Sequence, residues 1–235
     1  MATDEKLIVF VIYPGLTALD LIGPVSALGH LGEPYKAVVA AETTEPFPVN
    51  GGLLMMGATK TFDEVPNPYV IVVPGGGMPT IKAMANPAIQ KYLRESAPGA
   101  EYVTSVCTGA LILAAAGLLE GRRAATHWGY WPELEKLGAK YEHKRWVEDG
   151  KFITAAGVAA GIDMAIYLAS KLTSVERAKE IQKGMEYDPD PPFGPVDWTG
   201  AHDSVPQPQD WSDADKAAVK EALALKPELY DRLMA

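Results

Sequence analysis

The chain has 235 residues, of which 48% are hydrophobic and 22% are charged, and this is the composition of a globular protein that can bury a full core. Its net charge of −9 argues against nucleic acid or an anionic membrane as the main partner, and no run of about 18 apolar residues is available to span a bilayer. The single cysteine excludes an internal disulfide and, with an N-terminus that lacks a signal-peptide pattern, favours a cytoplasmic protein.

Short apolar segments alternate with segments of helical composition along most of the chain. Buried strands are predicted at 7–13, 35–41, 69–73, 102–106, 124–126, 141–147 and 152–154, with a short hairpin within 51–62. Helices are predicted after Thr17, at 24–31 after a break at Gly23-Pro24, and at 79–85, 87–97, 111–116, 131–137, 162–172 and 175–186. The alternation predicts an open, largely parallel α/β sheet with helices on both faces. In such a sheet, a ligand site forms beyond the carboxyl ends of the strands.

The last fifth of the chain differs from the rest in composition. Residues 187–209, here the proline-rich tail, hold six of the 19 prolines and are predicted to be extended. Phe193 and Trp198 indicate that this tail packs on something. We therefore predict one α/β domain at 1–186. The tail and one or two closing helices follow at 187–235, packed on the same domain or on a dimer partner.

Cys107 lies where the strand 102–106 turns into the helix 111–116. Gly109 and Ala110 are small enough for a sharp turn of the kind found in a nucleophile elbow. Because free N–H groups at a helix start favour negative charge, the thiol is expected to ionise more easily there. The other interpretation is an ordinary buried cysteine that packs as a small hydrophobe.

Other polar or glycine-rich segments are predicted to reach the same edge of the sheet. Gly75 to Gly77 follow the strand 69–73, and His127 follows the strand 124–126. Asp20 comes from the segment after the first strand and stands between Leu19 and Leu21. A helix-surface carboxylate is the structural alternative for Asp20. The remaining histidines form no metal-ligand spacing with His127, so no metal is predicted.

Four segments together resemble the PfpI/ThiJ superfamily, which has a flavodoxin-like fold related to class I glutamine amidotransferases. The segments are 20–24, 74–77, 105–110 and 117–128, and the resemblance extends from about residue 6 to residue 172. Asp20, Thr108 and the segment 186–193 are similar to the isocyanide hydratase branch of that superfamily.

The resemblance implies a cofactor-independent enzyme that converts isocyanides to N-substituted formamides and forms a homodimer. Cys107 would be the nucleophile that gives a thioimidate, and Asp20 would be the acid/base partner, with a pKa raised by burial. Thr108 would offer its N–H at the oxyanion position and its hydroxyl to the bound intermediate, although helix capping is its structural alternative. Gly76 and Gly77 would add backbone N–H donors.

Three points stay open at this stage. In some relatives a histidine near position 127 completes a Cys-His pair, but with Thr108 after the nucleophile a structural role for His127 is favoured. Other enzymes of the superfamily, glyoxalases or deglycases and peptidases, share these motifs. So do the small-molecule sensor domains of AraC-type regulators, but here only about 60 residues follow Leu172, with no basic recognition helix. A stand-alone enzyme without a nucleic-acid partner is therefore favoured.

Overall fold

A seven-stranded sheet forms the centre of the computed structural model, which describes residues 5–235. The strands of the chain are β1 (Lys6–Val11), β2 (Tyr35–Ala41), β3 (Phe47–Val49), β4 (Leu54–Met56), β5 (Lys60–Thr61), β6 (Val70–Val73), β7 (Tyr102–Val106), β8 (Arg123–Ala124), β9 (Lys140–Tyr141), β10 (Trp146–Asp149) and β11 (Phe152–Ala155). The sheet has the order β10-β11-β7-β6-β1-β2-β5, and every neighbouring pair is parallel except β10 with β11.

The central strands are buried because helices cover the sheet on both faces. All four residues of β6 are buried, as expected for an unbroken run of β-branched residues in a parallel sheet. The helices are α1 (Ala18–Leu28), α2 (Met78–Met84), α3 (Pro87–Ser96), α4 (Gly109–Ala115), α5 (Trp131–Lys136), α6 (Ala160–Leu172), α7 (Val175–Gly184), α8 (Asp213–Ala222) and α9 (Pro227–Met234). Helices α1, α6 and α7 pack together in one group, while α2 contacts α3, α4 and α8 in the other. This confirms the predicted fold class.

The structure corrects the predicted helix break at Gly23-Pro24. One helix, α1, runs through both residues, and both are buried. A Cβ on Gly23 would lie 2.8 Å from Ile162 Cγ1, so α1 and α6 approach closely at this point. Packing against α6 therefore keeps the helix continuous despite the missing N–H of the proline.

Two predicted strand segments also differ from the structure. The hairpin begins before residue 51, because β3 pairs with β4 around a turn at Asn50–Gly52, while β5 joins the edge of the main sheet. The predicted strand 141–147 is divided. Its first part, β9, pairs with β8 in a separate small sheet, and only β10 reaches the main sheet.

The C-terminal helices pack on the same core as the sheet. Val219 of α8, Leu223 directly after α8, and Leu229 and Leu233 of α9 are buried within that core. Between residues 5 and 235, no helix is long and apolar enough to cross a membrane. The domain boundary at residue 186 stays a prediction, and residues 1–4 of the predicted domain 1–186 lie outside the described part of the chain.

Candidate active site

Cys107 occupies a strained turn between β7 and α4, as its place in the sequence predicts. Its φ of +57° lies in the left-handed region, which a non-glycine residue seldom adopts without external support. The Cys107 N–H donates to the carbonyls of Ala155 (3.1 Å) and Ala156 (3.0 Å), and its carbonyl accepts the Thr126 hydroxyl at 3.0 Å. These bonds hold the turn in the conformation that carries the sulfur to the carboxyl edge of the sheet.

A glycine is required where the loop after β6 crosses this turn. A Cβ on Gly75 would lie 2.6 Å from the Thr108 nitrogen and 2.9 Å from Asp20 Oδ2, closer than such atoms can approach. The backbone of Gly75 can therefore touch both the cysteine turn and α1, which carries Asp20.

Asp20 and Cys107 form a buried pair. The exposed fraction is 0% for Asp20 and 5% for Cys107, so the surface-carboxylate alternative for Asp20 is wrong. Asp20 Oδ2 accepts the Gly75 N–H at 3.0 Å, whereas the buried Oδ1 has no aligned hydrogen-bond partner among residues 5–235. The Cys107 thiol lies near enough to this carboxyl group for each to shift the pKa of the other.

Burial controls the ionisation of both groups. It raises the pKa of Asp20 to about 6, as expected from the sequence, while the Gly75 and thiol hydrogen bonds partly oppose the rise. Burial and the Asp20 charge raise the pKa of Cys107 to about 12, against the opposing effect of the Thr108 and Val158 N–H groups. The expectation of an easily ionised thiol is therefore wrong. At neutral pH the pair of Asp20 and Cys107 therefore holds one proton between them.

Thr108 is fully buried, and its side chain binds the glycine loop. Its Oγ1 accepts the N–H of Gly76 at 3.0 Å and the N–H of Gly77 at 3.2 Å. This differs from the sequence-based expectation, because these two donors and the Thr108 hydroxyl bind one another instead of facing a bound intermediate. The donors directed at the sulfur are the backbone N–H groups of Thr108 and Val158.

The Thr108 hydroxyl begins a chain of hydrogen bonds that ends at the Pro74 carbonyl, directly before the glycine loop. The hydroxyls of Thr108 and Thr80 are 2.7 Å apart, those of Thr80 and Tyr13 are 3.0 Å apart, and Tyr13 donates to the Pro74 carbonyl at 3.0 Å. Since each hydroxyl has one proton, Tyr13 must accept from Thr80, and Thr80 must accept from Thr108. All the bonds then run in one direction, from the glycine loop to Pro74, and strengthen one another.

Tyr13→Phe tests this chain as a positioning device. We expect it to loosen the loop that presents the Gly75 N–H to Asp20 and to lower kcat by up to about 10²-fold, the effect of a displacement of about 1 Å at a reacting group. The acid limb of the rate profile should also move to higher pH, because the Gly75 bond lowers the pKa of Asp20.

Tyr92→Phe is the matched control. Tyr92 is also buried, and its hydroxyl donates to the Val65 carbonyl at 3.0 Å, away from the site. Both variants should lose about 1–3 kcal/mol of unfolding free energy, but only Tyr13→Phe should alter kcat and its pH profile. Equal kinetics for the two variants would show that the chain has only a structural role.

His127 has a local structural partner. Its Nδ1 accepts the Gly129 N–H at 3.1 Å, so in the neutral ring the proton is on Nε2. The ring packs against Gly157, where a Cβ would lie 2.6 Å from its Cδ2, and burial lowers the pKa of His127. These contacts hold the His127 ring in place, and its structural role stays a prediction.

Val158 is the site residue that the sequence analysis missed. It has a φ of +35°, which is rare for a β-branched residue, and its N–H is directed at the Cys107 sulfur. The signal available in the sequence was the small-residue stretch 155–161, which follows a strand that ends at the same edge. Nothing in that stretch singles out the one N–H that faces the thiol.

A cleft of about 450 Å³ borders the cysteine turn, within the size range of small-molecule sites. Its lining includes Thr126 and Ala156, which form hydrogen bonds with the Cys107 backbone, and Val158, whose N–H lowers the pKa of the Cys107 thiol. Its aromatic lining residues are Trp128, Tyr141 and Trp198. The lining also includes His127, His143, Lys144 and Arg145, so the cleft can bring a small molecule with apolar and polar parts next to the residues that support the sulfur. Within residues 5–235, no three His, Cys, Asp or Glu side chains cluster as metal ligands would.

Known proteins resemble both the whole chain and the fold around this site. The model of the DJ-1/PfpI family matches residues 6–171. The isonitrile hydratase of Pseudomonas putida is 38% identical over 229 residues, which cover 96% of this chain and 95% of the relative.

Solved structures give the same result. The crystal structure of a ThiJ/PfpI family protein from Pseudomonas syringae has a TM-score of 0.80 and 30% identity, and the match covers 99% of this chain and 90% of the other. Drosophila melanogaster DJ-1beta has a TM-score of 0.71 at 22% identity, over 79% of this chain and 100% of the other.

Proposed function

The chain belongs to the DJ-1/PfpI family, and from this premise we propose that it is a cofactor-independent hydratase that converts isocyanides to N-substituted formamides. The observation that carries the proposal is the buried pair of Cys107 and Asp20, in which Asp20 Oδ1 has no aligned hydrogen-bond partner among the described residues. The near full-length similarity to an isonitrile hydratase supports the substrate class. A site that depends on a free thiol also fits the reducing cytoplasm.

The first step adds the S–H group across the terminal carbon of the isocyanide. The Cys107 sulfur forms a bond to that carbon while its proton passes to Asp20 Oδ1, and Asp20 then delivers the proton to the same carbon. The product is a thioimidate, in which the former isocyanide carbon carries the transferred proton, a double bond to nitrogen and a single bond to sulfur. All atoms of the thiol and the isocyanide are retained.

The Thr108 and Val158 N–H groups assist this step because they are directed at the sulfur. Negative charge develops on sulfur as its proton leaves, and N–H donors held in place stabilise that charge without rearrangement. The strained turns at Cys107 and Val158 keep both the sulfur and a donor in position.

The second step is hydrolysis of the thioimidate. The oxygen of a water molecule bonds to the carbon, one water proton goes to the nitrogen, and the carbon–sulfur bond breaks as the other proton returns to sulfur. The N-substituted formamide leaves and the thiol–carboxylate pair is restored. No oxidant, reductant or metal takes part in this balance.

The test is turnover of cyclohexyl isocyanide by the purified protein, with cyclohexylformamide measured by chromatography. Formation of the formamide by the wild-type protein, above the rate in buffer, supports the proposal. Turnover of methylglyoxal without turnover of the isocyanide would instead assign a glyoxalase. Tight binding of an isocyanide without turnover would indicate a sensor.

We also propose that the chain forms a homodimer through α1. Leu19 and Ile22 are 43% and 45% exposed, lie one helical turn apart and flank the buried Asp20. A second copy on this surface would cover apolar area next to the site. We expect light scattering after gel filtration to give twice the chain mass of 25.2 kDa, and Ile22→Glu to give the single mass.

Val175→Glu is the control for the dimer, because Val175 is 54% exposed but lies on α7. It introduces the same charge on a different surface and should leave the mass unchanged. A wild-type protein at the single mass would disprove the dimer. A dimer unchanged by Ile22→Glu would place the interface elsewhere.

A further inference from the structure

A second cleft, of about 360 Å³, lies between α5 and the C-terminal segment. It shares no lining residue with the cleft beside Val158. Its wall is largely apolar, with Met78, Ile81, Val205, Pro206 and Val219. Its volume lies within the range of small-molecule sites. The cleft is therefore a separate place for a small ligand to bind.

One carboxyl group in this cleft has an unmet hydrogen bond. Glu133 is only 4% exposed, and its Oε2 has no hydrogen-bond partner among the residues that the structure describes. The carboxyl group does interact with the Glu133 backbone N–H, which accounts for part of its hydrogen-bonding capacity. Leaving a buried acceptor unpaired is unfavourable, so a ligand that supplies a donor here would gain binding energy. The proposed reaction at Cys107 does not use this carboxyl group.

The rest of the lining indicates the charge of that ligand. Asp215 contributes a second carboxyl group, Tyr130 and Trp211 contribute aromatic rings, and the lining residues include no lysine, arginine or histidine. Carboxylates and aromatic faces together are the groups that bind an ammonium ion. An anionic ligand would meet only like charge in this cleft.

We propose that this cleft binds a protonated amine attached to an apolar body, with the ammonium group on Glu133 and the apolar body against Met78, Ile81 and Trp211. Burial raises the pKa of Glu133 to about 7, so at pH 8 the carboxyl group is ionised and available to the cation. The proposal goes beyond the hydratase reaction and does not depend on it, since binding can be measured without turnover.

Tyr130 connects the cleft with the cysteine site. Burial raises the pKa of Tyr130, and the charges of both Glu133 and Cys107 contribute to the rise, so its hydroxyl lies within electrostatic range of both. An amine in the cleft would therefore contact a residue close to the sulfur. This amine is either the distal end of a substrate or a separate effector molecule. In both cases the cleft would recognise the same ammonium group and apolar body.

The test uses 2-phenylethylamine as the probe and 2-phenylethanol as the uncharged comparison, with calorimetric titration of the full-length protein at pH 8. We expect the amine to bind the wild type more tightly than the alcohol does, and to bind Glu133→Gln at least about 10-fold more weakly. Glu135→Gln is the control, because Glu135 is an exposed carboxylate on the same helix. It should bind the amine as the wild type does.

Two results would overturn the proposal. One is equal affinity of the wild type for the amine and the alcohol. The other is equal affinity of the wild type and Glu133→Gln for the amine, with folding of the variant verified by thermal melting. Should Glu133→Gln fail to fold, Trp211→Leu replaces it, and unchanged amine affinity in that variant refutes the site. Competitive inhibition of isocyanide turnover would identify a substrate subsite, and binding without inhibition an effector site.

Discussion

Cys107→Ala is expected to reduce isocyanide hydration by at least about 10⁴-fold, because it removes the only atom in the site that can form the carbon–sulfur bond. Cys107→Ser should be almost as inactive, since a serine hydroxyl is a much weaker nucleophile than sulfur at the same position. Cys107 is 95% buried within a packed turn, so serine is the closer match in shape. The measurement is formamide production under saturating isocyanide.

A second measurement separates a lost nucleophile from a disturbed fold. The intact mass of acid-quenched wild-type protein should include a fraction increased by one substrate molecule, and Cys107→Ser should show no such adduct. The thermal unfolding of Cys107→Ser should stay close to that of the wild type, because the strained turn is held by backbone bonds to Ala155 and Ala156. Retention of more than a tenth of the wild-type rate by Cys107→Ala would exclude covalent catalysis at this residue.

Asp20→Asn should lower kcat by about 10² to 10⁴-fold, the range typical of a lost general acid/base group. Asparagine keeps the shape and can still accept the Gly75 N–H, but it cannot carry the proton from sulfur to carbon. Asp63→Asn is a suitable control, because Asp63 is exposed and distant in the fold, in the short turn after β5. A full rate for Asp20→Asn would refute the acid/base role even if Cys107 proved essential.

The pH dependence follows from the same pair. The reactive form has one proton shared between Asp20 and Cys107, and the rate is the same function of pH whichever atom holds that proton. As the pH falls through about 6, the raised pKa of Asp20, a second proton binds and the rate should fall. The profile should then stay level toward alkaline pH, since burial raises the pKa of Cys107 to about 12. A rate that rises below pH 6 would contradict this assignment.

Stability should change in the opposite sense to activity. A rise in the pKa of Asp20 from its ordinary value of 3.8 to about 6 corresponds to about 3 kcal/mol of destabilisation when the group is ionised. Because the folded state binds the proton more tightly than the unfolded state, this penalty is complete above pH 6 and is relieved as the pH falls toward 4. Asp20→Asn should therefore unfold at no lower a temperature than the wild type at pH 8.

The sequence alone determined the parallel α/β sheet on which this site is built. Apolar β-branched runs such as 69–73 and 102–106 can be buried only as inner strands, and the helical segments between them dictate a parallel sheet. The same pattern placed Cys107 at a strand-to-helix corner and Asp20 among apolar neighbours. These are local properties, because each depends on residues that are adjacent in the chain.

Only the tertiary structure showed the pKa values of Asp20 and Cys107 and which backbone N–H groups face the sulfur. Asp20 and Gly75 are separated by 55 residues, and Thr108 and Gly76 by 32, yet their hydrogen bonds determine which N–H groups remain for the sulfur. The pKa values of Asp20 and Cys107 rise because packed atoms exclude water from both, and that exclusion depends on every element around them. Val158 and the unpaired oxygen of Glu133 became evident for the same reason. The distances between these groups and their loss of contact with water depend on packing between segments that are far apart in the sequence. No short segment can therefore predict them.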